Sequence, residues 1–335
     1  MNILLTGGAG YIGSHVAIVL SEAGHSIVVY DNLCNSSKLV IGQLKKILHK
    51  EVIFVEGDIR NTSLLEGTIR NYKIDAVIHL AGHKAVGESN SRPLEYYENN
   101  VKGTLSLLRA MVAVSIKTLI FSSSATVYGD PQYLPIDESH PLGPTNPYGR
   151  TKLQIEQILE DMAKSDSAWK IVNLRYFNPV GAHESGLIGE NPRGIPNNLM
   201  PYIAKVAIGQ LPQLTIFGSD YPTIDGSGVR DYIHIIDLAE GHLAGLSYVF
   251  QTHGFETFNL GTGQGYSVLQ MITAFEKVIK RRIPYALGNR RLGDIASCYA
   301  AVDKAHTRLD WRVKKTLDDM CSSTWEFQRR LHRVS

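Results

Sequence analysis

The chain has 335 residues, 44% hydrophobic and 20% charged, enough apolar side chain to close one large domain or two smaller ones. That composition excludes disordered, collagenous and disulfide-scaffold classes. Lys+Arg 34 against Asp+Glu 32 gives a net charge of +2 without a basic block, so no nucleic-acid or anionic-membrane partner is expected. Cys34, Cys298 and Cys321 are far apart and lack CxxC spacing, which fits a reducing compartment. No apolar run approaches the roughly 18 residues of a membrane span. The N-terminus carries no basic region ahead of a cleavable apolar stretch. A cytoplasmic globular protein is expected.

In chain order, short apolar runs at 3–5, 27–30, 52–55, 76–80, 118–121 and 171–174 alternate with segments of helical spacing. The runs are rich in branched side chains, as strands buried on both faces should be. Alternating strands and helices at this length predict an α/β fold with a doubly wound parallel sheet. After Tyr176 the texture changes. A glycine- and proline-bearing stretch at 178–198 has no clear period, and a loop of that length is uncommon unless it binds something. Residues 1–177 are therefore expected to form a dinucleotide-binding domain. Residues 178–335 are expected to be mainly a smaller mixed α/β substrate domain, with chain crossings between the two.

The first run leads into Thr6-Gly7-Gly8-Ala9-Gly10-Tyr11-Ile12-Gly13, in which Gly7, Gly10 and Gly13 form a GxxGxxG pattern opening a helix. Glycines there permit a tight turn and close backbone approach, and the helix N-terminus faces a pyrophosphate. Asp31 ends the second run, where a carboxylate binds ribose hydroxyls. It repels a 2′-phosphate, and Asn32 and Leu33 offer no cation, so NAD is favoured over NADP. Asp58 ends the third run, placed either to meet the adenine or simply to make a strand-end turn.

Of the 16 tyrosines, only Tyr148 has a Lys one helical turn later, in Tyr148-Gly149-Arg150-Thr151-Lys152. Asn146 and Pro147 read as N-cap and first helical residue, so Tyr148 and Lys152 share a face. Ser122-Ser123-Ser124 stands at a strand end, where open α/β sheets place ligands. A phenol with a pKa near 10 is a poor base at neutral pH. The Lys152 ammonium and a positive nicotinamide ring would both favour the phenolate. Tyr148 could then take a proton from an alcohol as hydride leaves the same carbon, with Ser124 holding the oxygen. Metal chemistry is not expected.

Longer segments carry a resemblance. They include Asp31-Asn32-Leu33-Cys34-Asn35-Ser36, Lys84-Ala85-Val86-Gly87-Glu88-Ser89, Phe121-Ser122-Ser123-Ser124-Ala125-Thr126-Val127-Tyr128-Gly129, Leu174-Arg175-Tyr176-Phe177-Asn178-Pro179-Val180-Gly181 and Arg230-Asp231-Tyr232-Ile233-His234. Over nearly its whole length the chain resembles the UDP-glucose (UDP-galactose) 4-epimerases of the extended short-chain dehydrogenase/reductase family. The resemblance implies tightly held NAD that is not consumed. It implies a 4-keto sugar that turns over about its diphosphate before hydride returns. It implies cofactor contacts at Tyr11, Ile12, Asn32, Asn35, Ser36, Ile59, Leu80, Ala81, Gly82, Lys84, Asn99 and Phe177, beside the glycines and Asp31. UDP-sugar contacts follow at Lys84, Asn178, Asn197, Asn198, Leu199, Phe217, Arg230, Arg291, Asp294 and Cys298, with Ser124 and Tyr148 at the reacting position. Similar enzymes pair through the helices corresponding to 94–114 and the one opening at Tyr148, so a homodimer is expected.

Three positions depart from the family pattern. His83 stands where Leu is usual, and Leu292 replaces a usual Glu. Cys298 stands where several bacterial members have Tyr and those accepting N-acetylated sugars have a small residue. A wider pocket that also takes UDP-N-acetylhexosamines is expected, the alternative being an inert buried thiol. Rival readings are a sugar-nucleotide 4,6-dehydratase, which would carry an Asp-Glu pair at Ala125-Thr126, and a non-catalytic NAD-sensing protein.

Overall fold

The computed structural model describes residues 1–192, 194, 196–291 and 293–334, with the side chains of 333 and 334 left aside. All six apolar runs become strands of one parallel sheet. In space its order is Gly254–Leu260, Lys170–Tyr176, Thr118–Ser124, Ala76–His79, Asn2–Thr6, Ser26–Asp31 and Ile53–Glu56. Side chains alternate between its faces. Ile3 and Leu5 enter one core with the helices Tyr11–Glu22 and Ile235–Val249. Leu4 enters the other with Leu65, Leu107, Met111, Ile155 and Leu159, from the helices Thr62–Asn71, Gly103–Ala113 and Pro147–Ser165. Helices on both faces make the sheet doubly wound, and its central strands are wholly enclosed.

Two strands depart from the expected pattern because they are edges. Ile53–Glu56 was expected to be buried on both faces, yet Ile53 is 40% exposed. The other edge, Gly254–Leu260, comes from the second half of the chain and pairs with Lys170–Tyr176. Glu256, Thr257 and Asn259 interrupt its apolar residues, so it lacks the continuous apolar run of the inner strands. Chain order and lobe therefore do not coincide, since Ile235–Val249 and Gly254–Leu260 return to the sheet after 178.

The smaller lobe holds a four-stranded sheet of Asn178–Val180, Val229–His234, Gly265–Ser267 and Ser297–Cys298, and a parallel pair of Leu214–Phe217 and Tyr285–Gly288. Met200, Ile203, Met271, Phe275 and Met320 fill its core from three helices. The C-terminal strand ends Thr6, Asp31, His79, Ser124 and Tyr176 lie along one edge of the main sheet, facing this lobe. Before Gly103 the chain makes a π-helical turn, Tyr97–Lys102, that turns both Asn99 and Asn100 inward. Such turns recur at functional sites.

Candidate active site

A cavity of about 420 Å³ runs along this edge. Gly7, Gly10, Tyr11, Ile12, Gly13, Asp31, Asn32, Asn35, Ser36, Ile59, Leu80, Ala81, Gly82, Lys84 and Asn99 all line it. Gly7 turns with φ +71°, and a Cβ there would lie 2.7 Å from the Ala81 backbone nitrogen. A Cβ on Gly13 would collide with the Gly7 carbonyl, so both glycines allow the strand and helix to meet. Gly10 N-caps the helix Tyr11–Glu22 without a side-chain capping bond. The first N–H groups of that helix are left pointing into the cavity, with the positive end of the helix dipole behind them. Asp31 accepts from the Ala9 and Leu33 amides at 3.1 and 2.8 Å and from Ser36 Oγ at 3.1 Å. Its carboxylate is thereby fixed at the cavity wall. An anion-accepting turn followed by a fixed carboxylate fits a dinucleotide diphosphate and its ribose.

Asp58 does not line the cavity. Arg60 grips it with Nε and Nη2, each at 2.8 Å, and Asn32 Nδ2 donates to it at 3.1 Å. That arginine fork holds its carboxyl well below the usual range. His79 and His83 have the i, i+4 spacing of a metal pair, but His79 is committed elsewhere. Thr104 gives its proton to the Asn100 carbonyl, so His79 Nε2–H donates to Thr104 and Nδ1 accepts from Thr6. The His83 ring stacks near Tyr96, and its backbone is clasped by Asn100. Leu292 lies outside the described residues.

The catalytic set gathers at the strand end Ser122–Ser124; Ser122 lines the cavity, and Ser124, Tyr148 and Lys152 are not among its lining residues. Asn146 caps the helix Pro147–Ser165 through the Gly149 amide at 2.9 Å, which seats Tyr148 and Lys152 in its first turns. Both are buried. Burial pushes the Tyr148 phenol above its ordinary value, opposed by the nearby Ser124 hydroxyl. Ser124 Oγ accepts from Thr126 N and Oγ1 at 3.2 and 3.0 Å. Lys152, the charge that the sequence offered for favouring the phenolate, is anchored at the strand end. Its Nζ donates to the Ser122 carbonyl at 2.5 Å and sits over the Phe121 ring, and burial brings it down to about 8. Without a cofactor, Tyr148 is therefore a neutral phenol.

On the facing lobe, Arg230 and Cys298 are register partners, and Asn178 pairs with Tyr232 on the same strand. Burial raises the Tyr232 hydroxyl to about 12, and the charges of Arg230 and Arg291 oppose the shift. Arg291 pairs with Asp294 at 2.9 Å and covers the Phe217 ring at 4.8 Å. Two guanidinium groups there suit a diphosphate. Cys298 packs with Phe177 and Ala125, next to Ser124, and burial lifts its thiol to about 12. Asn197 is exposed, and Asn198 precedes the helix opening at Leu199 without capping it.

Asn198 is held by a residue that motif reading missed. Glu190 Oε1 accepts from Asn198 Nδ2 at 2.6 Å and from Lys84 Nζ at 3.1 Å, joining the two lobes. Leu187, Ile188, Phe327 and Leu331 also line the cavity. The only signal for the loop residues was the aperiodic stretch at 178–198. The two helix residues come from the far end of the chain and had none.

Residues 3–261 match the model of the NAD dependent epimerase/dehydratase family. The chain is 54% identical over 328 residues to the UDP-glucose 4-epimerase of Bacillus subtilis (strain 168), covering 98% of this chain and 97% of the relative. It is similar to the UDP-glucose-4-epimerase structure from Stenotrophomonas maltophila with bound NAD and formylated UDP-arabinopyranose, at 47% identity and TM-score 0.98 over the whole of both chains. The Bifidobacterium longum UDP-glucose 4-epimerase in complex with NAD+ and UDP matches at 51% identity and TM-score 0.96, over 98% of each chain.

Gly13→Ala is expected to weaken NAD retention by about tenfold to a hundredfold, the scale of an overpacked contact. Cofactor released on denaturing the purified variant measures it. Full retention would mean that the turn is not the cofactor's seat.

Proposed function

The chain belongs to the NAD dependent epimerase/dehydratase family, and we propose on that footing that it is a UDP-sugar 4-epimerase converting UDP-glucose and UDP-galactose into each other. The observation that carries this reading is the buried pair Tyr148 and Lys152 on one helix face at the strand end Ser122–Ser124, whose Ser122 lines the same cavity as the glycine turn and Asp31. When bound, NAD supplies the acceptor and donor of hydride at C4′. The chain's own residues handle the proton. Ser124 presents a hydroxyl to the sugar O4′, and Tyr148 takes the O4′ proton and later returns it. Burial makes that phenol reluctant to ionise, so positive charge beside it is what turns it into a base. Arg230 and Arg291 hold the diphosphate, leaving the sugar as the part that turns. Lys84, held to Glu190, stands between the cofactor and sugar sides.

The dehydratase alternative would need an acid and a base for elimination. Ala125 and Thr126 stand at that position, and Thr126 is bonded back to Ser124. A non-catalytic NAD sensor would have no use for an intact Ser124, Tyr148 and Lys152 set. The cytoplasm is the expected setting; among the described residues no helix is long and apolar enough to cross a membrane.

Product analysis with UDP-galactose tests the reading. UDP-glucose should form without net NADH, and Tyr148→Phe should lower turnover at least about a hundredfold. NADH rising in step with a keto product would make the protein a dehydrogenase.

The substrate range extends in our reading to UDP-N-acetylglucosamine and UDP-N-acetylgalactosamine, because Cys298, clustered with Phe177, carries a much smaller side chain than a Tyr ring. Cys298→Tyr should suppress N-acetyl sugar turnover by about tenfold to a hundredfold while sparing UDP-galactose. Equal loss of both, or no N-acetyl turnover in the wild type, overturns this. A homodimer is also proposed, resting on Leu94 at 82% and Val112 at 50% exposure on the face that would pair. Light scattering should give a dimer mass at micromolar concentration, and a monomer mass would contradict it.

A further inference from the structure

Three successive serines end the strand Thr118–Ser124, and residues at three successive turns of the helix Pro147–Ser165 meet them. Tyr148 stands beside Ser124, and Lys152 Nζ donates to the Ser122 carbonyl. Ser123 Oγ donates to Glu156 Oε1 at 2.5 Å. Positions 148, 152 and 156 share one face of the helix. The third rung has no place in the proton chemistry described above. Glu156 is 4% exposed, and Arg175 grips it with two hydrogen bonds, Nε to Oε1 at 3.0 Å and Nη2 to Oε2 at 2.7 Å. Arg175 is the register partner of Ser123 on the neighbouring strand. Its Nη1 donates to Tyr128 Oη at 3.0 Å, which in turn donates to Asn259 Oδ1 at 2.6 Å.

A buried ion pair of this kind is weak as a source of stability, since desolvation offsets most of its attraction, but breaking one partner away is costly. Its geometry is better suited to fixing register. Building on the epimerase reading of Tyr148 and Lys152, we propose that Glu156, countered by Arg175, is a positioning residue that sets the serine strand end against the catalytic helix, and with it Lys152 one turn away.

Among the described groups around Lys152, Glu156 is the carboxylate that favours its charged form. From the strand Ala76–His79 comes His79, which burial holds neutral with a pKa of about 3. The strand Thr118–Ser124 offers the Phe121 ring and the Ser122 carbonyl. The strand Lys170–Tyr176 brings Tyr176, kept protonated by burial and bonded to His242, and Arg175, committed to Glu156. Tyr148, on the same helix, is a neutral phenol. Burial works against the Lys152 ammonium, and the Glu156 carboxylate acts for it.

The test compares wild type, Glu156→Gln, Glu156→Asp and Ser123→Ala as NAD-loaded proteins. Two readouts are taken: the pH titration of the Lys152 side chain by carbon NMR, and kcat and KM with UDP-galactose. Wild-type turnover checks the epimerase reading separately, and the titration reports on Lys152 whatever the reaction. Glu156→Gln should lower the Lys152 midpoint by about one pH unit or more. It should cut kcat about tenfold with KM little changed, and Glu156→Asp should recover part of both. Ser123→Ala keeps the ion pair, so the midpoint should stay while kcat falls severalfold. A folded Glu156→Gln protein with unchanged midpoint and kcat, losing only melting temperature, overturns the proposal. If that variant does not fold, Ser123→Ala decides alone, because wild-type kcat there leaves the rung without a positioning role.

Discussion

Everything at the site turns on one electrostatic constraint: Tyr148 and Lys152 are both buried where a charged form is costly. Desolvation raises the phenol and lowers the ammonium, so each is pushed towards its neutral state. A buried phenol is a useful base only if positive charge arrives beside it. Lys152 alone does not meet that need, because burial still holds the phenol above its ordinary value with Lys152 in place. The second charge has to come from the cofactor. In this account the base is silent until the cavity is filled, which suits an enzyme that keeps its NAD and returns the hydride it takes.

The fold serves that constraint by bringing low-dielectric walls and fixed donors to one edge. A parallel sheet covered on both faces gives strand ends that are rigid and dry at their base and open at the tip. The capless helix start after Gly10 and the clamped Asp31 provide opposite partial charges at the two ends of a diphosphate-ribose span. The smaller lobe contributes the arginines. Glu190 then ties Lys84 on one lobe to Asn198 on the other, so the two halves of the cleft are coupled through one carboxylate oxygen.

Much of this was legible in the amino-acid sequence, for physical reasons that also explain what was not. The inner strands are buried on both faces, so they appear as unbroken branched runs. The edge strand Gly254–Leu260 has its apolar run broken by Glu256, Thr257 and Asn259 and belongs to the sheet only through its pairing with Lys170–Tyr176, which lies far away in the chain. Gly7, Gly10, Gly13 and Asp31 are local signals, since a tight turn and a strand end each span a few residues. Glu190, Phe327 and Leu331 acquire their places only when distant segments meet. The direction of the Lys152 side chain was likewise invisible. One-turn spacing puts it on the face of Tyr148 but does not say that a backbone carbonyl will capture its ammonium.

The most direct measurement is a pH titration of tyrosinate absorbance, taken as the difference between wild type and Tyr148→Phe, on protein with NAD and on protein stripped of it. With NAD bound, the Tyr148 contribution should ionise well below the ordinary phenol value near 10; stripped protein should show it only above that value. Phenolate at neutral pH in stripped protein, or no difference between the two states, would contradict the claim that burial silences this base until the cofactor arrives.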